Sequence, residues 1–232
     1  MTQVSFLRHG AFFGPEDAND KTFCLIGTGA TGSWAALMAA KMGWHNFQIW
    51  DSDIVETHNL PNQAFNACHV GQKKVDALER VLLDFNPAIQ ITKFDHFFDA
   101  RNVEHVAELS DYVFIAVDSL DCRKEIYSCL RSHPLVDVIF ETRMGFTHAE
   151  LNITESSDVI KIDQIISLLK TDEEVVEAAC NERIITSLVS IVSSTLVHNL
   201  CYIASSDRTG NKFTTYGKTL FNLSPNLTTY YS

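Results

Sequence analysis

The segment from Thr22 to Asp53 constrains the fold of this chain more than any other. Its sequence, TFCLIGTGATGSWAALMAAKMGWHNFQIWDSD, predicts a buried strand over 23–26, a helix from about Thr31 to Met42 and a second strand over 47–50. Three glycines separate the first strand from the helix: Gly27, Gly29 and Gly32. In such a unit the first glycine permits a sharp turn, the second lets the backbone approach a phosphate, and the third lets the helix pack on the strand. The segment therefore predicts a nucleotide-binding half-domain.

The start of this predicted helix favours an anion, because its free backbone amides carry partial positive charge. Asp51 follows the second strand roughly 20 residues after the turn, where a carboxylate can accept a hydrogen bond from a ribose hydroxyl. An ordinary strand–helix bend is the alternative. The strand before the glycines, the helix after them and the acid downstream together favour nucleotide binding.

The composition predicts one globular domain. The 232 residues can bury a substantial core, and 46% apolar and 20% charged residues are typical of soluble chains. A formal net charge of −11 disfavours nucleic acid and anionic membranes as partners, because both select for basic surfaces. The same charge permits a protein partner with a basic surface, but an acidic surface that only keeps the protein in solution is the favoured alternative.

Membrane insertion and export are also disfavoured. The most apolar long segment, 184–203, is interrupted by Ser, Thr, His and Asn side chains, so we expect a buried or interface helix. The N-terminal residues lack the long apolar region of a signal peptide. The six cysteines form no CxxC pair and no spacing typical of zinc ligands, which predicts reduced core cysteines and a cytoplasmic protein.

Strands and helices alternate through most of the remaining sequence. After an irregular loop (54–70) we predict a helix of roughly 15 residues from Gly71. We then predict strands over 89–94, 112–117 and 136–140, separated by helices over 103–109 and 120–132. The remaining predicted elements are a strand over 149–154, helices over 161–170 and 173–204, and a hairpin of 212–216 with 219–223 before a loosely held tail. This order predicts an α/β fold with a Rossmann-like, doubly wound, mainly parallel sheet. It covers 22–154, follows an N-terminal arm (1–21) and precedes an antiparallel and helical extension of the same domain (155–232).

Polar residues are expected to converge at the carboxyl ends of the parallel strands, where doubly wound sheets bind ligands. They are Asp51, Asp53, Asn59, Gln63, Lys74 and Asp118. A carboxylate such as Asp118 would repel a polyphosphate unless a divalent cation lay between them, and Mg²⁺ takes this position with one or two carboxylates and phosphate oxygens. Lys74 adds a cation for the same phosphates. This set favours a triphosphate over a dinucleotide.

Two of these assignments have simpler alternatives. Aspartate is favoured at helix N-caps, so Asp118 could cap the helix that follows it. Lys74 could be a solvated surface residue, as its neighbour Lys73 is expected to be. Helical spacing does not distinguish the two lysines.

The motifs DSDIVETHNLPNQ, VGQKKVDAL and AVDSLDCR resemble those of the ThiF/MoeB family of adenylating enzymes, whose relatives include the ubiquitin-activating enzymes. The resemblance covers 22–152 and continues more thinly through CNERIITSLVSIVSS. It implies an enzyme that binds ATP and Mg²⁺ and forms an acyl adenylate and pyrophosphate from a substrate carboxylate. That carboxylate is implied to be the C-terminus of a ubiquitin-like or sulfur-carrier protein, or of a peptide.

The resemblance also implies a role for individual residues. The glycine turn, Asp53 and Gln63 would contact the nucleotide; Asp51 would bind its ribose, Asn59 and Lys74 its phosphates and Asp118 the Mg²⁺, while Arg123 would support the site. The family is usually homodimeric, and Arg8 is a candidate for an arginine that crosses into the partner's site. Cys180 falls where some members carry an acyl-accepting cysteine. The acids before it disfavour a thiolate and Arg183 favours one, so nucleophile and inert cysteine both stay open.

Three departures from the family pattern bear on activity. Asn62 stands where an arginine usually precedes the glutamine, so less charge is neutralised on the transferring phosphates. Zinc-binding cysteine pairs are missing, and 232 residues leave no room for a separate cysteine-bearing or ubiquitin-fold domain. The alternatives are therefore a catalytically weak nucleotide-binding scaffold of the same fold and, less favoured, an NAD-dependent reductase, which explains neither Asp118 nor Lys74.

Overall fold

A computed structural model describes residues 4–171, 186–210, 217–223 and 226–231. Among these residues, eight strands form one sheet: β1 (Phe23–Ile26), β2 (Asn46–Trp50), β3 (Gln90–Phe94), β4 (Asp111–Ile115), β5 (Val136–Met144), β6 (His148–Glu155), β7 (Lys218–Leu223) and β8 (Asn226–Tyr231). The described α-helices are α1 (Ala30–Met42), α2 (Lys74–Phe85), α3 (Val103–Ala107), α4 (Leu120–Leu130), α5 (Val159–Leu168), α6 (Thr186–Ala204) and α7 (Ser206–Thr209), and short 3₁₀-helices span Pro15–Ala18, Thr57–Asn59 and Ala67–His69.

The strand order is β3-β2-β1-β4-β5-β6-β7-β8. The first five strands in this order are parallel, and β6, β7 and β8 are added antiparallel at one side. Helices α1, α2 and α6 contribute buried residues to one face, and α4 and α5 to the other. The prediction of a doubly wound, mainly parallel sheet with an antiparallel and helical C-terminal part is confirmed.

The order in which successive strands are added to the sheet reverses at β1. The chain passes from β1 to β2 on one side and, after β3, returns to β4 on the other side of β1. The carboxyl ends of β2 and β4 therefore flank the glycine turn that follows β1. Doubly wound sheets bind their ligands at such a point.

Among the helices that the structure describes, only α6 is long and apolar enough, by length and composition alone, to span a membrane. One side of it is buried, with Leu188, Val192 and Leu196 fully enclosed, and it packs against α1 and β6. The segment was predicted to be a buried or interface helix because polar residues interrupt it, and the structure buries one side of it and leaves Ile191 exposed on the other. The first part of the predicted helix, up to residue 185, lies outside the described residues.

Two predicted boundaries at the carboxyl edge were wrong. Helix α2 begins at Lys74 rather than Gly71, because the preceding residues hydrogen-bond with 53–55: Val55 N donates to Gln72 O, and Gly71 N to Val55 O. Strand β5 continues to Met144 instead of ending before Glu141. A carboxylate is tolerated inside this strand because two arginines and an asparagine bind it, as described below.

The C-terminal hairpin also differs from the prediction. Strand β7 pairs with β8, whose residues were expected to form a loose tail. The predicted partner strand, 212–216, lies outside the described residues. The β-branched and aromatic side chains of TTYY favour an edge strand, which makes β8 a regular element.

The N-terminal arm packs at the amino ends of the parallel strands. Phe13 stacks on Trp44 with ring centroids 5.8 Å apart, and Asn46 donates to the carbonyl of Asn19. The arm is fixed to the C-terminal part by Arg208, which donates to both carboxylate oxygens of Asp17 at 2.7 and 2.8 Å. Burial raises the pKa of Asp17, but the Arg208 and Gly14 hydrogen bonds outweigh burial and leave it below its ordinary value.

Replacing Arg208 with methionine should lower the free energy of unfolding at pH 7, because the carboxylate of Asp17 loses its charged partner. A carboxyl group with a lowered pKa stabilises the fold at neutral pH, and this contribution disappears as pH falls through the folded-state pKa, so the difference should narrow below about pH 4. Urea unfolding across pH measures it. Arg101→Met, at a side chain 79% exposed, is the matched control with little expected effect. A deficit independent of pH would contradict the assignment.

Candidate nucleotide-binding site

Two glycines of the turn are required by close backbone packing, and the third faces open space. Gly27 has φ +98°, and a Cβ there would lie 2.7 Å from the carbonyl oxygen of Ala116. A Cβ on Gly32 would overlap the carbonyl oxygen of Gly27. A Cβ on Gly29 would meet no described atom within 4 Å. Gly29 precedes α1, so the first amides of α1 have room for an anion beside them.

Asp51 fastens this turn to the end of β2. Its Oδ2 accepts from the amide and the hydroxyl of Thr28 at 2.7 and 2.9 Å, and its Oδ1 accepts from the amide of Asp53 at 2.9 Å. A carboxylate offers about four acceptor positions, so one is left for a ribose hydroxyl. Thr28 is fully buried and was missed by sequence reasoning, although its position inside the glycine turn was a usable signal.

The loop after β2 is held over α1 by contacts that the sequence did not predict. Trp34 Nε1 donates to the carbonyl of Asn62 at 3.0 Å, and Ser33 Oγ accepts from the amide of Ala64 at the same distance. Between them, the Oε1 atom of Gln63 is buried without a hydrogen-bond partner among the described residues. Such an acceptor favours a donor from a ligand or a bound water.

Asn59 lies at the start of the same loop with its amide group available. Its Oδ1 accepts from the amide of Glu56 at 2.8 Å, which fixes the side-chain orientation. Its Nδ2 group donates to no described residue. An oriented amide donor of this kind can contact a phosphate oxygen.

The structure distinguishes the two lysines that helical spacing could not. Lys74 has a side chain only 9% exposed, and its ammonium donates to Asp53 Oδ2 at 2.7 Å. Lys73 is half exposed and pairs with Asp95 on the other side of the loop. The backbone pairing of Asp53 O with Lys74 N, at 2.8 Å, brings these two residues together. Asp53 and Lys74 therefore form one buried-to-surface ion pair beside the site.

Asp118 follows β4 and is exposed, with no hydrogen bond or ion pair to the described part of the chain. It does not cap α4. The N-cap is Ser119, whose hydroxyl accepts from the amide of Cys122 at 3.1 Å. The carboxylate of Asp118 is therefore free to bind a ligand on the β4 side of the glycine turn.

Arg123 does not face this open space. Its guanidinium is buried and donates to the Glu141 carboxylate and to the carbonyls of Thr142 and Val117. These bonds tie α4 to the ends of β4 and β5. Arg123 thus positions the residues around Asp118 from beneath.

Glu141 is the fully buried centre of this cluster, which the sequence did not predict. Besides Arg123, it accepts from Arg143 Nε at 2.9 and 3.1 Å and from Asn152 Nδ2 at 2.7 Å. The buried Tyr127 lies beside it. Burial, and then the charge of Glu141, raise the pKa of Tyr127 well above its ordinary value, so the phenol stays protonated. A glutamate directly after an apolar strand was the one sequence signal for this cluster.

The structure thus brings Gly29, Asp51, Asn59, Lys74 and their loop neighbours to one edge of the sheet, with Asp118 across the glycine turn. It does not bring Arg8 there. Arg8 is exposed on the arm at the opposite, amino edge. Cys180 lies outside the described residues. Within the described ranges, no three His, Cys, Asp or Glu residues form a metal-binding group.

Comparison with known proteins agrees with this geometry. The ThiF family matches residues 10–229. The chain belongs to the ThiF family. It is 32% identical over 126 residues to the adenylyltransferase and sulfurtransferase MOCS3-1 of Zea mays, a match covering 53% of this chain and 27% of that protein.

Other ThiF-type relatives match a larger share of the chain. The tRNA threonylcarbamoyladenosine dehydratase of Bacillus subtilis (strain 168) is 26% identical over 159 residues, which are 64% of this chain and 62% of the dehydratase. The solved structure of Escherichia coli MccB with ATP superposes with a TM-score of 0.70 at 13% identity, covering 93% of this chain and 64% of MccB. At that identity the likeness shows the fold alone. The chain spans less than two thirds of the length of each of these proteins.

Proposed function

We propose that this ThiF-family protein is an ATP-dependent adenylyltransferase that activates a carboxylate. The observation that carries the proposal is the open space over Gly29, at the sheet's change of direction, with Asp51 on one side and the unpaired Asp118 on the other. Family membership supports the same activity. In the proposed reaction a carboxylate oxygen bonds to the α-phosphorus of ATP, the bond from that phosphorus to the β-phosphate oxygen breaks, and pyrophosphate leaves.

The residues present fit ATP. The amides at the start of α1 are available to phosphate oxygens. The buried Oε1 of Gln63 requires a donor from the ligand, and the Nδ2 group of Asn59 is itself a donor that can contact a phosphate oxygen. Lys74 contributes a fixed positive charge from the β2 side. Asp51 holds the turn in shape and keeps an acceptor position for the ribose.

The residues also fit Mg²⁺, which we propose as the cofactor. Mg²⁺ is bound in proteins by one or two carboxylates together with phosphate oxygens, so a site without three protein ligands is expected. Asp118 is the carboxylate that would hold it. The ion would neutralise charge on the triphosphate and so reduce its repulsion of the incoming carboxylate.

The substrate we propose is the C-terminal carboxylate of a ubiquitin-like or sulfur-carrier protein, or of a peptide. The name of the maize relative, an adenylyltransferase and sulfurtransferase, supports a sulfur-carrier pathway. The Bacillus relative is named for a tRNA nucleoside, but a net charge of −11 disfavours a nucleic acid substrate for this chain. Cys180 stays a candidate acyl acceptor.

We also propose a cytoplasmic homodimer. None of the five cysteines in the described ranges forms a disulfide, which supports a reducing compartment. Arg8 lies at the amino edge of its own sheet, so any contribution of this arginine to a nucleotide site requires a second copy of the chain.

A catalytically weak nucleotide-binding scaffold is the second candidate function, and Asn62 favours it. The carbonyl of Asn62 is bound by Trp34, and its side-chain oxygen lies 3.5 Å from the hydroxyl of Thr186. The position normally held by a phosphate-neutralising arginine is thus occupied by a residue that fixes the loop.

Exchange of radiolabelled pyrophosphate into ATP separates the two candidates. With a panel of peptides and small proteins that have free C-terminal carboxylates, adenylation predicts Mg²⁺-dependent exchange with at least one of them. Lys74→Met should lower that exchange about 100-fold, because the phosphates lose a preorganised charge. Lys73→Met, at the neighbouring lysine that faces away, should leave it within about twofold. ATP binding without exchange for any member of the panel would favour the scaffold.

A further inference from the structure

The cluster around Glu141 carries more positive than negative charge. Arg123 and Arg143 pair with Glu141, while Arg143 and Lys218 also approach Glu150, at 3.9 and 3.0 Å. Three cations therefore share two carboxylates. A partly buried cluster with one unbalanced positive charge favours an additional anion.

Two buried donors in the same cluster lack an acceptor. Arg123 Nε and the Tyr127 hydroxyl are enclosed and hydrogen-bond to no described residue. Buried polar groups are nearly always paired, and each unpaired donor costs about 1–3 kcal/mol. The two donors lie beneath the rim together with the Oε2 atom of Glu150, a buried acceptor that likewise has no hydrogen-bond partner among the described residues, so the partly exposed Arg143, and not these donors, is the group that a ligand can reach.

Arg143 connects the cluster to the candidate site. Glu141 pairs in register with Ile115, the last residue of β4, so Arg143 lies two residues further along, level with 117–118. The hydroxyl of the intervening Thr142 is 3.3 Å from that of Thr31 in the first turn of α1. The backbone of Arg143 is therefore at the same rim as Asp118, on the side of the glycine turn opposite Asp51, and its side chain lies with that of Glu141 on the α4 face of the sheet.

Only one of the three guanidinium nitrogens of Arg143, the Nε atom, forms hydrogen bonds with the described residues. Its Nε is used by Glu141, which fixes the plane of the group. Its Nη1 atom lies 3.9 Å from Glu150 Oε2, beyond hydrogen-bond distance, so neither terminal nitrogen hydrogen-bonds to a described residue, and the side chain is 26% exposed. Burial lowers the pKa of Arg143, but Glu141 outweighs burial and raises it overall, so the charge is permanent. A fixed guanidinium with free terminal donors suits bidentate binding of a carboxylate.

We infer that Arg143 binds the carboxylate that is to be adenylated and holds it on the β4–β5 side of the nucleotide. The inference rests on the proposed function and adds a substrate-binding residue to it. Asn62 stands where an arginine would neutralise negative charge near the transferring phosphates. In this arrangement Arg143 supplies part of that positive charge, from the side of the α-phosphate on which the substrate carboxylate lies.

Glycylglycine and its uncharged amide, glycylglycinamide, test this assignment. Each is titrated by NMR into the protein saturated with Mg²⁺ and the non-cleavable analogue α,β-methylene-ATP. The wild type should bind the acid about tenfold more tightly than the amide, because only the acid can form a bidentate pair. Arg143→Met should abolish that preference, and Arg143→Lys, which keeps the pair with Glu141, should retain part of it. Lys218→Met, at the other exposed cation of the cluster, should preserve it within about twofold.

Binding of the analogue is measured first in every protein, which separates this inference from the proposed function. Absence of analogue binding in the wild type would overturn both. Normal analogue binding with equal affinity for acid and amide, or an undiminished preference in Arg143→Met, would overturn the role of Arg143 alone.

Discussion

Gly29→Ala should abolish tight ATP binding and leave the protein as stable as the wild type, whereas Gly32→Ala should destabilise the fold. A methyl group at Gly29 enters empty space over the start of α1, where the phosphates are proposed to lie, so ATP affinity should fall on the order of 100-fold. A methyl group at Gly32 meets the backbone carbonyl of Gly27, which cannot move without displacing β1 or α1. The free energy of unfolding should fall by about 3 kcal/mol or more.

Urea unfolding and calorimetric ATP titration on the same preparations measure both effects. Gly71→Ala is not a suitable control, because Gly71 has φ +85° and an alanine there would strain the backbone whatever the space around it. The wild type is the reference for the free energy of unfolding, and Lys73→Met is the control variant for ATP affinity. An alanine at Gly29 that binds ATP normally would mean that the phosphates do not approach this turn.

Asp118→Asn should reduce the rate of adenylation by about 1,000-fold and leave the fold unchanged. The side chain is exposed and makes no hydrogen bond or ion pair with the described residues, so its replacement costs little stability. Its proposed purpose is to hold Mg²⁺ against the triphosphate, and loss of one preorganised charge at a transferring phosphate has effects of this size. Initial rates of pyrophosphate exchange and a thermal melt provide the two readouts.

Asp121→Asn is the matched control, since Asp121 is an exposed aspartate one turn further along, in α4. Its exchange rate should stay within about twofold of the wild type. Equal losses in the two variants would indicate a general effect of surface charge. Unchanged exchange in Asp118→Asn would remove Asp118 from the site.

The parts of the fold that sequence predicts best are those determined by local patterns. The strand–turn–helix unit around Gly27 is specified by adjacent residues, and its bounds agree with the structure to within one residue. The start of α2 was misplaced because residues 71–73 pair with 53–55, a contact between separate segments that periodicity does not encode. The same limit explains why β5 was cut short at Glu141.

For the site, sequence predicted which strand ends carry polar residues but not which side chains face the open space. Lys73 and Lys74 are adjacent and alike in type, and only the pairing of 53–55 with 71–74 directs one inward. Arg143 was missed because its importance depends on Glu141 and Glu150, which lie on two strands joined by a later turn. Long-range ion pairs of this kind leave no periodic trace.

The most direct test of the account is the dependence of ATP affinity on Mg²⁺ in the wild type and in Asp118→Asn, measured by calorimetry. Mg²⁺ should strengthen ATP binding about tenfold or more in the wild type and have little effect in the variant. An identical response to Mg²⁺ in both proteins would contradict the account, because the cation would then be held without the carboxylate that is proposed to bind it.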